Sequence, residues 1–172
     1  MTISKLKLKY SSLFFIPFIL MFGVFLCLGL TPFSKNSIHS GDFLSQYFPL
    51  YIGLHKMFWN GDFSGLFWSF EKSLGGAMPS VWGFNSLSPF TLLYVLFPIS
   101  SFHVISYIIP LIRFGVMGVV FGYFIEKKYQ AVSKRYWLAV GLCTSYALSG
   151  FIISQHYNPN FLDNLVYVPF IF

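Results

Sequence analysis

Few residues in this chain could do chemistry, because only 9% of its 172 residues are charged. Asp42 follows Gly41 just beyond a long apolar run and is itself followed by Gln46-Tyr47-Phe48-Pro49. A carboxylate at the mouth of a membrane helix is costly to desolvate and marks a candidate site. Three readings are open for it: a general base taking a proton from an acceptor hydroxyl, a metal ligand, or an N-cap for the segment beginning at Phe43. His39, three residues earlier, is a loop histidine that could assist proton transfer. Asp163 reads most simply as the cap of a final helix, with a site role as the second reading. Arg113 stands inside an apolar run, where its guanidinium fork suits a phosphate or a carboxylate, or pairs with an acid on a helix missing from this piece. Leu74-Gly75-Gly76, with Trp82-Gly83-Phe84-Asn85 after it, describes a loop whose backbone amides could approach a polar ligand closely. Asp62, in Asn60-Gly61-Asp62, reads as a turn residue, and Lys56 and Lys72 read as snorkelling or solvated lysines.

The elements that must position these groups are membrane elements. With 56% hydrophobic and 22% aromatic residues, 23 of them Phe, the chain carries more apolar surface than a soluble domain of this size can bury. The formal charge of +6 does not point to nucleic acid, because the 11 Lys and Arg lie mostly in two short clusters beside apolar runs. Cys27 and Cys143 fall inside apolar runs and behave as small hydrophobes. No internal repeat, nucleotide-binding glycine loop or metal-spaced Cys/His set is present in the sequence.

The expected order is a basic leader over 1–10, a first membrane helix over 11–31, and a long loop over 32–88. Residues 89–102 are too short an apolar stretch to span and read as interfacial or re-entrant. A second membrane helix over 103–125, a basic loop over 126–135 and a third helix over 136–154 follow. A short external loop over 155–162 leads to the start of a fourth helix over 163–172. That last run is shorter than the ~20 residues a crossing needs, so the chain reads as the N-terminal part of a larger protein. Lys5, Lys7 and Lys9 in the leader, with Lys127, Lys128, Lys134 and Arg135 in the later loop, place the N-terminus in the cytoplasm. Asp42 and Asp163 then share the outer side. Within the long loop, Leu44, Tyr47, Phe48, Tyr51, Leu54, His55 and Phe58 recur at helical spacing, which predicts an interfacial helix. Pro49 is tolerated only near its first turn, and ordinary packing is the competing account of the stripe.

Several ordered segments resemble one family: Gly41-Asp42 with Gln46-Tyr47-Phe48-Pro49, Ser73-Leu74-Gly75-Gly76, and Leu87-Ser88-Pro89-Phe90 with Leu96-Phe97-Pro98. Ser145-Tyr146-Ala147-Leu148-Ser149-Gly150 and Asn160-Phe161-Leu162-Asp163 running to Val168-Pro169 complete the set. In this order they resemble the YfhO-like bacterial multi-pass membrane proteins, which belong with the GT-C type glycosyltransferases. The resemblance implies an all-α polytopic membrane protein, GT-C-like, with about three to four membrane helices in this piece and interfacial helices in its first external loop. It implies a polyprenyl-phosphate-linked sugar as donor and an envelope polymer of teichoic-acid type as acceptor, at the outer face of the bacterial cytoplasmic membrane. Asp42 is then the catalytic base and Asp163 a second outer-loop acid. His39, Gln46, Tyr47, Gly75, Gly76 and Arg113 are the substrate-binding candidates. No metal ligand is assigned, and Arg113, Lys56, Lys72 or a divalent metal could assist departure of the lipid phosphate. The family's members are much longer than this piece. The rival readings are a transporter or flippase fragment, with Arg113 and Asp163 lining a polar path, and a non-catalytic membrane subunit in which Asp42 is only a cap.

Overall fold

A computed structural model describes residues 3–34, 41, 43–69, 75–85 and 88–171, with the side chains of 3–9, 84, 85 and 133 left aside. In chain order its elements are α1 (Ile3–Cys27), α2 (Phe48–Asn60), β1 (Trp68–Ser69), β2 (Gly76–Ala77), α3 (Pro79–Asn85), α4 (Leu92–Leu96) and α5 (Phe102–Lys128). They continue with α6 (Gln130–Ser133), α7 (Tyr136–Ala147), α8 (Gly150–Ser154) and α9 (Pro159–Ile171). Among the described residues the fold is all-α apart from one two-residue antiparallel pair, and three segments are long and apolar enough to cross a membrane: Tyr10–Cys27, Ile99–Lys128 and Tyr136–Ser154. The chain divides into two compact units. The first takes in α1, α5 from Tyr107 onward, α6 to α8, and α9 from Phe161; the second takes in His39–Ser106 and Tyr157–Asn160.

In the first unit α5 is the central helix. Two-thirds of its spanning window (67%) is buried, against 22% for α1 and 28% for the third span, so α5 is covered on most sides while the others turn apolar faces outward. Along α1 the buried positions recur every fourth residue, at Leu13, Pro17, Met21 and Phe25, while Phe15, Ile19, Leu20 and Leu26 stay exposed. That apolar exterior suits lipid and not water. The stripe of α1 meets small residues of α5. A Cβ built on Gly118 would run into the Leu13 carbonyl oxygen, and one on Gly122 into the Leu13 side chain. Gly118-x-x-x-Gly122 is the small-residue spacing that lets two membrane helices approach closely. Pro17 contributes too, since it has no N–H to give the Leu13 carbonyl four residues back. Leu13, Ile125, Val140 and Cys143 form a core where α1, α5 and α7 meet. Tyr10 donates to Glu126 at 3.0 Å, and Ser12 and Tyr136 share a hydrogen bond of 2.6 Å.

Two boundaries differ from the sequence expectation. The run expected as one helix over 136–154 breaks at Leu148 and Ser149, where Ser149 is extended (φ −64, ψ 149) and α8 restarts at Gly150. Such breaks persist at membrane depth only where protein re-satisfies the backbone. The last helix begins at Pro159 rather than at 163, because a proline at the first helical position loses no hydrogen bond there and presets φ. Pro169 inside α9 leaves the Leu165 carbonyl without its usual amide donor, and Tyr146 of α7 donates its hydroxyl to that oxygen at 2.7 Å.

Among the described residues of the expected long loop, which was read as carrying interfacial helices, the second unit is folded structure with a helix at the predicted stripe. Gly41, with φ 53, opens a turn into one stretch of π-helix over Phe43–Tyr47, which passes directly into α2. Pro49 sits in the first turn of α2, where it is tolerated. Tyr51, Leu54 and His55 of the predicted stripe are buried within the unit, while Leu44 and Phe58 are about half exposed. The stripe is therefore used mainly for packing. Tyr51 stacks on Tyr94 at 4.5 Å, and His55 lies between Trp59 at 4.9 Å and Phe102 at 5.3 Å. Leu54 packs with Met78 and Trp82, and Trp59 donates its indole N–H to the Val95 carbonyl at 2.8 Å. Residues 89–102 contain the short helix α4, whose Tyr94 donates to Ser106 at 2.9 Å.

Candidate functional site

Two of the residues singled out in the sequence meet in the first unit. Arg113 of α5 donates from Nε to Oδ1 of Asp163 at 2.6 Å and from Nη2 to Oδ2 at 3.1 Å. Both residues are buried, Arg113 at 3% exposure and Asp163 at 8%. Asp163 lies on the buried stripe of α9 with Leu162, Val166 and Pro169, so most of its side chain is withdrawn from water. A carboxylate there persists only if it is paired and hydrogen-bonded. The two-pronged geometry supplies both conditions. It also corrects the capping account: Asp163 is the fifth residue of α9, beyond the first turn, and its oxygens serve Arg113 instead of backbone amides. Both oxygens of Asp163 are engaged by the guanidinium, and the pair acts first as a brace between α5 and α9.

The other candidates lie in the second unit or outside the described residues. Asp42 and His39 are both outside the described residues, as are Lys72 and Glu71. Their neighbours are defined: Gly41 has its left-handed turn, and Ser45 bonds back to the Gly41 carbonyl through its amide at 3.3 Å and its hydroxyl at 3.2 Å. Gln46 is exposed on the π-helical stretch. Tyr47 is buried and donates its hydroxyl to Oδ1 of Asn158 at 2.7 Å. This bond ties the start of α2 to the residues just before α9, and Asn158 had no place among the sequence candidates. Gly75 adopts φ 104, which favours glycine, and Gly76 pairs with Ser69 across the two-stranded ladder. Among the described residues no three His, Cys, Asp or Glu side chains come together in a way that could hold a metal.

The model of the family described as bacterial membrane protein YfhO matches residues 12–172. The chain belongs to the YfhO family. No curated protein and no solved structure matches it. Membership in YfhO makes this a membrane protein, in keeping with its three long apolar helices. The YfhO match covers α1 through α9 and so includes Gly41-Asp42, the Arg113–Asp163 pair and the Tyr146–Leu165 bond.

Proposed function

We infer that this YfhO-family protein takes part in transferring a sugar from a polyprenyl-phosphate donor to a cell-envelope polymer of teichoic-acid type. The reaction runs at the outer face of the bacterial cytoplasmic membrane, with the N-terminus inside. The observation that carries this reading is the folded unit that includes the turn at Gly41, the π-helical stretch, α2 and the two-stranded ladder. A connector between two membrane helices needs none of this. A site that handles a polar substrate delivered by a lipid needs a folded polar surface beside the membrane.

In this mechanism Asp42 is the base. It takes the proton of an acceptor hydroxyl as that oxygen forms a bond to the anomeric carbon, while the bond to the lipid phosphate breaks and its electrons leave with the phosphate. Cationic help to the leaving phosphate would come from Lys72 or from a divalent metal; Lys56 is set aside because it shares a pocket with the Asp62 carboxylate. Arg113 is less suited to that task, because Asp163 already occupies its fork. Gln46, Gly75 and Gly76 are carried as substrate contacts. The same pairing weakens the transporter reading, which needs these charges along a polar path. A single displacement gives inversion at the anomeric carbon, and NMR analysis showing a retained anomer would exclude it. The direct test is transfer of labelled sugar from a polyprenyl-phosphate donor in membranes containing the protein. Label entering the polymer fraction above that in membranes without it supports the reading. No such gain, with a known transferase active in parallel, counts against it.

A further inference from the structure

The second face of α2 carries a feature that the proposed base does not use. Gly53, Lys56, Met57 and Asn60 recur at i, i+3, i+4 and i+7 and form one wall of a pocket of about 190 Å³. Asp62, Ser64, Gly65 and Ser69 form the other wall. Local geometry builds it. Gly61 ends α2 in a left-handed conformation (φ 67), which turns the chain back over the helix. Asp62 then accepts the Ser64 amide at 3.0 Å, fixing the turn into the short 3-10 segment and on to β1.

The chemistry of the lining selects a ligand class. Lys56 makes no ion pair among the described residues, and it shares the pocket with a carboxylate, a carboxamide and two hydroxyls. Hydrogen bonds from Ser64 hold the Asp62 carboxyl below the usual carboxylate range, so it is ionised at neutral pH. A phosphate would meet that charge, and a cation would meet Lys56. A neutral polyol meets neither obstacle, since each hydroxyl both donates and accepts and can serve the ammonium and the carboxylate together. The volume is below the 300–1,000 Å³ usual for drug-sized ligands, which fits one ring rather than a chain of them.

We propose that this pocket, lined by Lys56, Asn60, Asp62, Ser64 and Ser69, is a binding site for a single neutral sugar ring. The assignment deepens the transfer reading and rests on it for biological meaning, while the binding itself is measurable without transfer. Saturation-transfer NMR on the protein in nanodiscs, with methyl glucoside and methyl N-acetylglucosaminide as probes and inorganic phosphate as the anionic control, tests it. Saturation of a sugar probe, undiminished when inorganic phosphate is added as competitor, is expected. Asn60→Ala and Asp62→Asn should each weaken sugar binding about tenfold, the amide of the second variant still accepting the Ser64 N–H and so keeping the turn. Displacement of the probe by a short-chain polyprenyl-phosphate sugar would identify the donor's ring as the occupant, and simultaneous binding would identify the acceptor's. Silence from both sugars, tighter binding of phosphate than of sugar, or unchanged sugar binding in both folded variants would overturn the proposal. Sugar binding without any transfer activity would leave the pocket standing and remove the transfer reading. Transfer together with unaltered binding in both variants would do the reverse.

Discussion

Tyr146→Phe removes one hydroxyl and keeps the ring, whose stacking on Phe121 (4.4 Å, 11° between planes) is indifferent to the oxygen. The variant therefore isolates the bond to the Leu165 carbonyl. That carbonyl has lost its helical donor to Pro169, so without Tyr146 it is left unpaired in an environment with little water to replace the bond. Interhelical hydrogen bonds in membrane proteins average only about 0.6 kcal/mol, because alternative partners exist. An orphaned buried group costs roughly 1–3 kcal/mol. With the helical alternative removed by proline, the expected loss is about 1.5 kcal/mol. In a Pro169→Ala background the amide at 169 can reach Leu165 itself, and the same Tyr146→Phe change should then cost less than about 0.5 kcal/mol. Reversible unfolding in mixed micelles, measured for the four proteins of this cycle, gives both numbers. Equal losses in the two backgrounds would refute the argument that the tyrosine substitutes for the missing amide.

Three further outcomes follow from the packing and the charges. Gly118→Ala places a methyl group against the Leu13 carbonyl and should cost about 1–3 kcal/mol by the same unfolding measurement, whereas the corresponding change at Gly141, which has open space, should cost much less. Arg113→Gln or Asp163→Asn alone removes one half of a buried ion pair and should cost about 3–5 kcal/mol; the double variant should recover much of that loss, and additive losses would contradict the pairing. The Asp62 carboxyl is held below its ordinary 3.8 by Ser64, so the turn's contribution is complete above that pH and is lost as pH falls through the lower folded-state value. Site-resolved NMR titration of Asp62 should show a midpoint below 3.8 that returns toward it in Ser64→Ala.

The sequence made the apolar spans legible because their composition alone separates them from the rest. Arg113 was conspicuous as a charge in an apolar run and Asp163 read as a helix cap, yet their partnership was not legible, since periodicity along one helix does not say which helix it packs against. The start of α9 was readable in principle from Asn158-Pro159, but Asp163 competed as a cap signal four residues later. The turn at Gly61-Asp62 was legible from residue type. The pocket behind it was not, because Gly53, Lys56 and Asn60 along a helix look like a solvated face until the chain folds back over them. Pro169 announced a missing amide, while the tyrosine that answers it lies on another helix.

In the proposed transfer the carboxylate after Gly41 does the chemistry. The measurement that bears on it most directly is sugar transfer from a labelled polyprenyl-phosphate donor, comparing wild type with Asp42→Asn at matched expression in membranes. A base lost to an amide should reduce transfer by about 100-fold or more, whereas an N-cap tolerates asparagine with little change. Transfer falling to background in Asp42→Asn is the predicted result, and transfer at the wild-type rate would contradict the claim.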